Sequence, residues 1–158
     1  MSGGGPGVIF PLALLPVIFL LINASIGPLS GWGRLEALFP DGGEPAARRF
    51  RWQSASLAGR GGLPANFNGC LTVDVCHSGL RLRVWPVFGL FLKPVLLPWR
   101  AIAADERRVF LIRQVVVSLD GWDGRTLRLM PRQWRAYVAA AQALGVDTRR
   151  FAASVSAG

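Results

Sequence analysis

The first 33 residues of the chain contain no charged side chain, although the full sequence of 158 residues has 18 basic and 9 acidic residues. A chain of uniformly mixed polarity is therefore excluded, and the net charge of +9 belongs to the part that begins at Arg34. That part has the length of one ordinary domain. The 51% hydrophobic content excludes intrinsic disorder, and the presence of only two cysteines excludes a disulfide scaffold.

Residues that commonly carry catalysis are also scarce. A Ser-His-Asp arrangement or a histidine-rich metal site has only His77 to draw on, and His77 falls in a predicted turn. Cys70 and Cys76 lack the spacing of a zinc site, and they lie about 20 Å apart along one predicted strand, too far for a disulfide. Free thiols fit a reducing compartment. We therefore expect a non-catalytic protein with no cofactor and no metal.

The uncharged part contains one long apolar segment, residues 8–29, with the sequence VIFPLALLPVIFLLINASIGPL. As a helix it would be about 33 Å long, enough for a hydrocarbon core of roughly 30 Å. The pattern predicts a single transmembrane helix. A basic start and a small-residue cleavage site are both missing, which favours a retained anchor over a signal peptide. A secreted β domain, released by cleavage, remains the alternative.

Basic residues follow this segment and none precede it. Arg34, Arg48, Arg49 and Arg51 come soon after the predicted span. Because Lys and Arg near a span stay on the cytoplasmic side, the predicted topology has the N-terminus outside and the C-terminal domain in the cytoplasm.

Two short segments connect the predicted anchor to the domain. Residues 30–40, SGWGRLEALFP, have apolar side chains at helical spacing and predict an interfacial helix, with Trp32 in the aromatic belt at the headgroups. An ordinary connector with one buried Trp is the alternative. Residues 41–47, DGGEPAA, are rich in Gly and polar residues and predict a linker that ends at the domain boundary.

From Arg48 onward the hydrophobic pattern has the period of a β-strand. The clearest element is a hairpin around His77 and Ser78, which pairs Asp74 with Arg81 on one face. A shift by one residue would mix the two faces, so the sequence favours this register. On the apolar face the predicted pairs are Leu71 with Val84, Val73 with Leu82, and Val75 with Leu80.

Several further segments complete the predicted fold. Pro131 is placed to begin an amphipathic helix, which Gly145 ends. About seven strands with regular turns predict an antiparallel sandwich or barrel, which this helix closes. The other predicted strands are residues 48–57, 95–99, 107–112, 114–119 and 126–130, with a loop over residues 59–68 and a turn over residues 120–124.

This arrangement resembles the pleckstrin-homology-like fold. The pieces NGCLTV, GL-L-V and LLPW resemble small bacterial single-span membrane proteins of unknown function, over roughly residues 31–144. The resemblance implies a mainly β domain on one N-terminal transmembrane helix in the bacterial inner membrane, and no activity. Many pleckstrin-homology domains bind phosphoinositides through basic residues on the first strand, the first loop and the second strand. Here the first strand has Arg48, Arg49 and Arg51 and the loop has Arg60, but residues 71–76 have no basic side chain.

The predicted organisation has four parts. Residues 1–29 are the N-terminal segment and anchor, residues 30–47 the interfacial helix and linker, residues 48–145 the β domain with its helix, and residues 146–158 a flexible tail.

Two kinds of surface are candidates for binding. For docking on anionic lipid of the inner leaflet, the candidates are Trp32, Arg34, Arg48, Arg49, Arg51 and Arg60. The alternative is a protein-interaction module that binds a peptide at edge strand 95–99 and the apolar loop of residues 86–94, with anchors Trp85, Phe88, Phe91 and Trp99. A sequence pI near 11.5 suggests nucleic acid, but the basic residues are dispersed and no recognition motif is present, so nucleic acid is not an expected partner.

Overall fold

The computed structural model describes residues 9–59, 64–122 and 124–152. Two helices come first, α1 (Ile9–Ser30) and α2 (Trp32–Leu38). After the strands come α3 (Pro131–Ala143) and α4 (Arg149–Ala152). The seven strands between them are β1 (Arg48–Gly59), β2 (Ala65–Val75), β3 (Gly79–Val84), β4 (Val95–Pro98), β5 (Ile102–Val109), β6 (Ile112–Leu119) and β7 (Arg125–Leu129).

The strands form one antiparallel sheet in the order β4-β3-β2-β1-β7-β6-β5. A single cluster of buried apolar side chains includes residues from all seven strands and from α2, α3 and α4. Since one cluster receives side chains from every strand, all seven strands share a common core. The predicted mainly β fold of about seven antiparallel strands with a C-terminal helix is confirmed.

The predicted hairpin register between β2 and β3 is also confirmed. Leu71 pairs with Val84, Val73 with Leu82 and Asp74 with Arg81. Alternation of apolar and polar residues is enough to determine this pairing, because a shift by one residue would reverse the faces. The second face of β2 is covered as well, and every residue from Cys70 to Val75 is buried.

Two strand boundaries differ from the sequence prediction. The strand predicted over residues 107–112 is wrong, because β5 ends at Val109 and the chain turns at Phe110 and Leu111, with Phe110 in the left-handed region at φ 56°. Apolar residues occupy this turn, so periodicity could not separate it from a strand. The loop predicted over residues 59–68 is shorter, since β2 begins at Ala65 and pairs there with Leu57.

Within the described residues, no helix meets both the length and the hydropathy that a membrane-spanning helix requires. The transmembrane helix predicted over residues 8–29 therefore has no support from the fold.

The C-terminal helix begins at Pro131, as predicted, and buries Trp134 and Tyr137 in the core. The tail predicted from residue 146 onward is partly wrong. Residues 149–152 form α4, where Phe151 is buried and its ring stacks on Trp99 at 5.3 Å between centroids. An aromatic ring near the end of the chain can reach an uncovered part of the core, which the sequence pattern does not reveal. Residues 153–158 lie outside the described residues.

Candidate membrane-contacting surface

The side chains of α1 between Leu14 and Ile22 are exposed and apolar. Asn23, the next residue, is buried, and its Nδ2–H donates to the Phe19 carbonyl at 3.0 Å. An exposed apolar surface of this extent is unusual for a monomeric soluble protein and marks a contact with lipid or another protein. The exposed large apolar side chains of α1 are Leu14, Leu15, Val17, Ile18, Phe19, Leu20, Leu21, Ile22 and Leu29.

Trp32 is buried in the core of the domain. Its side chain is 0% exposed, its ring lies 5.4 Å from that of Phe67, and its Nε1–H donates to the Lys93 carbonyl at 2.9 Å. Leu35, one turn later, is buried beside it in the same core. The prediction that Trp32 and the apolar side of α2 face the headgroups is therefore wrong, because the β domain covers that side of the helix.

The connection between α1 and α2 is tight. Gly31 joins the helices in the left-handed conformation at φ 80°, which glycine adopts without a steric penalty. The Arg125 guanidinium donates to the Ser30 carbonyl at 3.2 Å, and a Cβ on Gly31 would collide with that guanidinium. The end of α1 is thus attached to the start of β7.

Arg34 lies on the exposed side of α2. On the same helix, the Glu36 carboxylate accepts a hydrogen bond from the Lys93 backbone N–H at 2.6 Å. The Lys93 side chain is exposed. Two basic side chains, Arg34 and Lys93, therefore belong to segments that are hydrogen-bonded to each other.

The apolar loop, residues 86–94, lies beside α1. Phe88 shares a cavity of about 370 Å³ with Phe19 and Ile22 of α1. Trp85, directly before the loop, is partly buried, and its ring lies 4.3 Å from the exposed ring of Trp52. The loop thus continues the apolar surface of α1. Its exposed large apolar side chains are Val87, Phe88, Leu90 and Phe91.

Trp99 is not available as a partner anchor. Its side chain is buried against Phe151, and its Nε1–H donates to the Cys76 carbonyl at 3.0 Å. The four predicted anchors therefore separate into two groups. Phe88 and Phe91 are exposed and Trp85 is partly exposed, whereas the prediction for Trp99 is wrong because its ring fills the core under α4.

The arginines of β1 lie far from α1. Arg48 pairs with Val75, whereas Leu57 pairs with Ala65, which lines cavities with α1. Nine residues of β1 separate Arg48 from Leu57, or about 30 Å, and six separate Arg51 from Leu57, or about 20 Å. Arg51 is exposed.

The other predicted lipid-facing arginines differ in their contacts and exposure. The Arg48 guanidinium carbon lies 5.4 Å from the Phe50 ring centroid, and its side chain is exposed. Arg49 donates to Asp74 at 2.7 Å, and this hydrogen bond raises the pKa of Arg49. Arg60 lies outside the described residues. The resemblance to phosphoinositide-binding pleckstrin-homology domains is therefore weaker at this site. Their second strand contributes basic residues, whereas β2 contributes Asp74, which binds Arg49.

Asp74 is at the centre of a buried charge network that the sequence revealed only in part. Its side chain is 1% exposed. Three guanidinium groups surround its carboxylate: Arg49 at 2.7 Å, Arg83 at 3.5 Å and Arg81 at 3.6 Å. The sequence predicts the pairing with Arg81 but not the burial.

Residues 41–47 cover this network. Arg81 is 4% exposed, and it donates to the Asp41 carboxylate at 2.8 Å and to the Glu44 carbonyl. The Glu44 carboxylate in turn accepts from the backbone N–H groups of His77 and Ser78. The segment predicted as a linker is therefore hydrogen-bonded across the β2–β3 hairpin. Gly42, Gly43 and Pro45 led to the prediction of a linker, whereas the acidic residues Asp41 and Glu44 make the contacts with the hairpin.

Removing the Ser78 hydroxyl is expected to raise the pKa of Glu44. That hydroxyl donates to Glu44 Oε2, and the hydrogen bond is the main reason why the Glu44 pKa lies below its ordinary value of 4.5. A lowered pKa means that Glu44 stabilises the fold above its ordinary pKa, and that this contribution is lost as pH falls through the lowered value. Ser78→Ala should therefore lose less stability on acidification than the parent chain.

Titration of the Glu44 side-chain carboxyl by NMR measures this directly. Ser118→Ala provides the control, since that exposed hydroxyl contacts the Ala103 carbonyl on another strand. An identical Glu44 titration in Ser78→Ala would show that the hydroxyl has no part in holding the carboxylate.

The two cysteines are free and buried, and burial raises the pKa of both thiols. His77 is exposed in the turn between β2 and β3. The predicted free thiols and the turn position of His77 are confirmed. A buried thiol with a raised pKa is a poor nucleophile, so these residues are structural.

No protein-family model and no curated protein matches this sequence.

Proposed function

We propose that the chain is a non-catalytic, membrane-associated β domain of pleckstrin-homology-like architecture, held on a bilayer by α1 and the apolar loop. The observation that carries the proposal is the continuous apolar surface of α1 and Phe88, which has no charged side chain among its exposed members. Burial of apolar side chains in lipid gains about 25 cal/mol per Å² removed from water. Such a surface is therefore costly to leave in water.

Basic residues at the border of this surface suit an anionic leaflet. Arg34 and Lys93 are exposed on segments that join α2 to the end of the apolar loop. Each basic residue near anionic lipid contributes roughly 1 kcal/mol. Since Arg48 lies at the other end of β1 and Arg51 lies six residues along it from Leu57, or about 20 Å, we assign the lipid contact to Arg34 and Lys93 instead. The proposed location is the cytoplasmic side of a bacterial inner membrane.

A protein partner on the apolar loop is the second candidate. The exposed rings of Phe88 and Phe91 favour it. Addition of a peptide to β4 is not favoured, because Pro40 already bridges to Val95 and Pro98 offers no N–H.

An environment-sensitive fluorophore can distinguish lipid from a protein partner. The full chain carrying Phe88→Cys is labelled with a nitrobenzoxadiazole maleimide and added to vesicles of phosphatidylglycerol and phosphatidylcholine. We expect a blue shift and an increase in emission, because residue 88 enters the lipid. Phe110→Cys is the matched control, since Phe110 is another exposed Phe, in the turn between β5 and β6, and its emission should not change when vesicles are added.

Equal responses at residues 88 and 110 would overturn the proposed orientation, and no response at residue 88 would overturn lipid contact by the loop. The mass of the chain recovered from the membrane fraction and from the secreted fraction separates the remaining alternative. A chain shortened near residue 30 would support the secreted domain instead of a retained α1.

A further inference from the structure

The sheet has two edge strands, β4 and β5, which differ in how far other residues occupy their outer side. At β4 the edge is short and occupied, because Pro40 bridges to Val95 and the Leu96 N–H donates to the Phe39 carbonyl at 3.1 Å. The strand ends at Pro98, which has no N–H. Natural sheets protect their edges with such features, since an open edge is a template for another strand.

The β5 edge is long and regular. All eight residues of β5 pair with β6 in sequence, without a bulge or a proline. The Asp120 N–H donates to the Ala101 carbonyl, so Ile102 and Leu119 are a pair without direct hydrogen bonds, and the pattern alternates from there. The N–H and C=O groups of Ala104, Glu106 and Arg108 therefore face away from β6. In the described part of the chain, no strand pairs with that side.

The charges along β5 are self-complementary in the antiparallel sense. Asp105 and Glu106 are followed directly by Arg107 and Arg108. When two copies of β5 run antiparallel with their outward groups aligned, one register sets Asp105 opposite Arg107 of the other copy. In that register Glu106 meets Glu106 of the other copy at the two-fold axis, with Arg108 of the other copy diagonally beside it, so two Asp105–Arg107 pairs stand against one like-charge pair. Opposite charges that face each other across strands stabilise the pairing, whereas a strand of one sign would repel its copy.

The turn that follows β5 adds apolar surface to the same edge. Phe110 is 94% exposed and Leu111 is 86% exposed. In the antiparallel arrangement each turn lies beside the start of the other copy's β5, near Ile102. Pairing therefore removes from water part of the surface of Phe110 and Leu111, which are highly exposed apolar side chains.

We propose that β5 pairs antiparallel with β5 of a second copy of this chain, so that one sheet continues across a two-fold axis. A two-fold axis requires a surface that is complementary to itself, and the two symmetry-related Asp105–Arg107 pairs provide most of this complementarity. The proposal is independent of the membrane function, because the edge does not include α1 or the apolar loop.

Charge variants of the full chain test the proposal. Asp105→Arg with Glu106→Arg makes the edge wholly basic, and Arg107→Asp with Arg108→Asp makes it wholly acidic. Light scattering of the detergent-solubilised chain should give a dimer for the parent and a monomer for each variant alone. Mixing the two variants should restore a dimer that associates at least about tenfold more tightly than either variant with itself.

Two results would overturn the proposal: a monomeric parent chain, or a dimer that both variants retain, which would indicate contact through α1. If a variant does not fold, crosslinking replaces it. Glu106→Cys or Arg107→Cys should form a dimer with a short bismaleimide, while Asp147→Cys, at an exposed position outside the edge, should not. Crosslinking that is equal at all three positions would contradict β5 pairing.

Discussion

Replacement of Trp32 by alanine is expected to lower the free energy of unfolding by about 3 to 5 kcal/mol, the usual cost of removing a buried Trp or Phe. Trp32 is 0% exposed and packs on Phe67. Its removal leaves a cavity between α2 and the sheet, and it leaves the Lys93 carbonyl without its indole donor. Both effects destabilise the folded state, so both lower the free energy of unfolding.

Leu38→Ala is the matched control, because Leu38 lies on the same helix and is largely exposed. We expect a change within about 0.5 kcal/mol for this variant. Urea unfolding followed by far-UV circular dichroism measures both variants in the full chain. If Trp32→Ala were no less stable than Leu38→Ala, α2 would not be part of the core, and its position at the headgroups would have to be reconsidered.

Trp32 also shows where prediction from sequence ends. The spacing of apolar residues identifies α2 as a helix with one apolar side, and this is correct. The pattern does not say what covers that side, because lipid and a protein core are equally apolar. The covering surface comes from Phe67 and from Lys93, which lies 61 residues away in the sequence. Only the fold brings these residues together.

Local patterns were sufficient elsewhere. The register of β2 and β3 follows from alternation over a few residues, and the start of α3 follows from Pro131. These features depend on neighbours in the sequence. The burial of Trp99 under Phe151 depends on a residue in the tail, so the sequence placed this ring wrongly on an exposed edge.

The candidate surface could be predicted in part for the same reason. The apolar loop is conspicuous because exposed loops seldom contain Val, Phe and Leu in succession, and Phe88 and Phe91 are indeed exposed. The arginines of β1 were assigned to lipid because they follow α1 closely in sequence. In the fold, Leu57 pairs with Ala65, which lines the cavities beside α1, whereas Arg48 lies about 30 Å and Arg51 about 20 Å from Leu57 along β1.

The second large effect concerns the charge network. Asp74→Asn is expected to lower the free energy of unfolding by about 3 kcal/mol or more, since removal of one partner leaves buried charge uncompensated. The variant keeps the size of the side chain but removes the negative charge that three guanidinium groups share. Arg49 and Arg83 are partly exposed and can turn toward water. Arg81 is 4% exposed and cannot, so its remaining carboxylate partner is Asp41.

Asp147→Asn is the control that separates the effect of burial from the effect of ion-pair distance. Asp147 contacts Arg149 at 2.8 Å, nearly the distance between Asp74 and Arg49, but both side chains are exposed. Exposed ion pairs contribute little because water screens them, so we expect a much smaller loss of stability for Asp147→Asn than for Asp74→Asn. Urea unfolding of the two Asn variants provides the comparison. Equal losses would mean that Asp74 is hydrated in solution, and that residues 41–47 do not close over the β2–β3 hairpin.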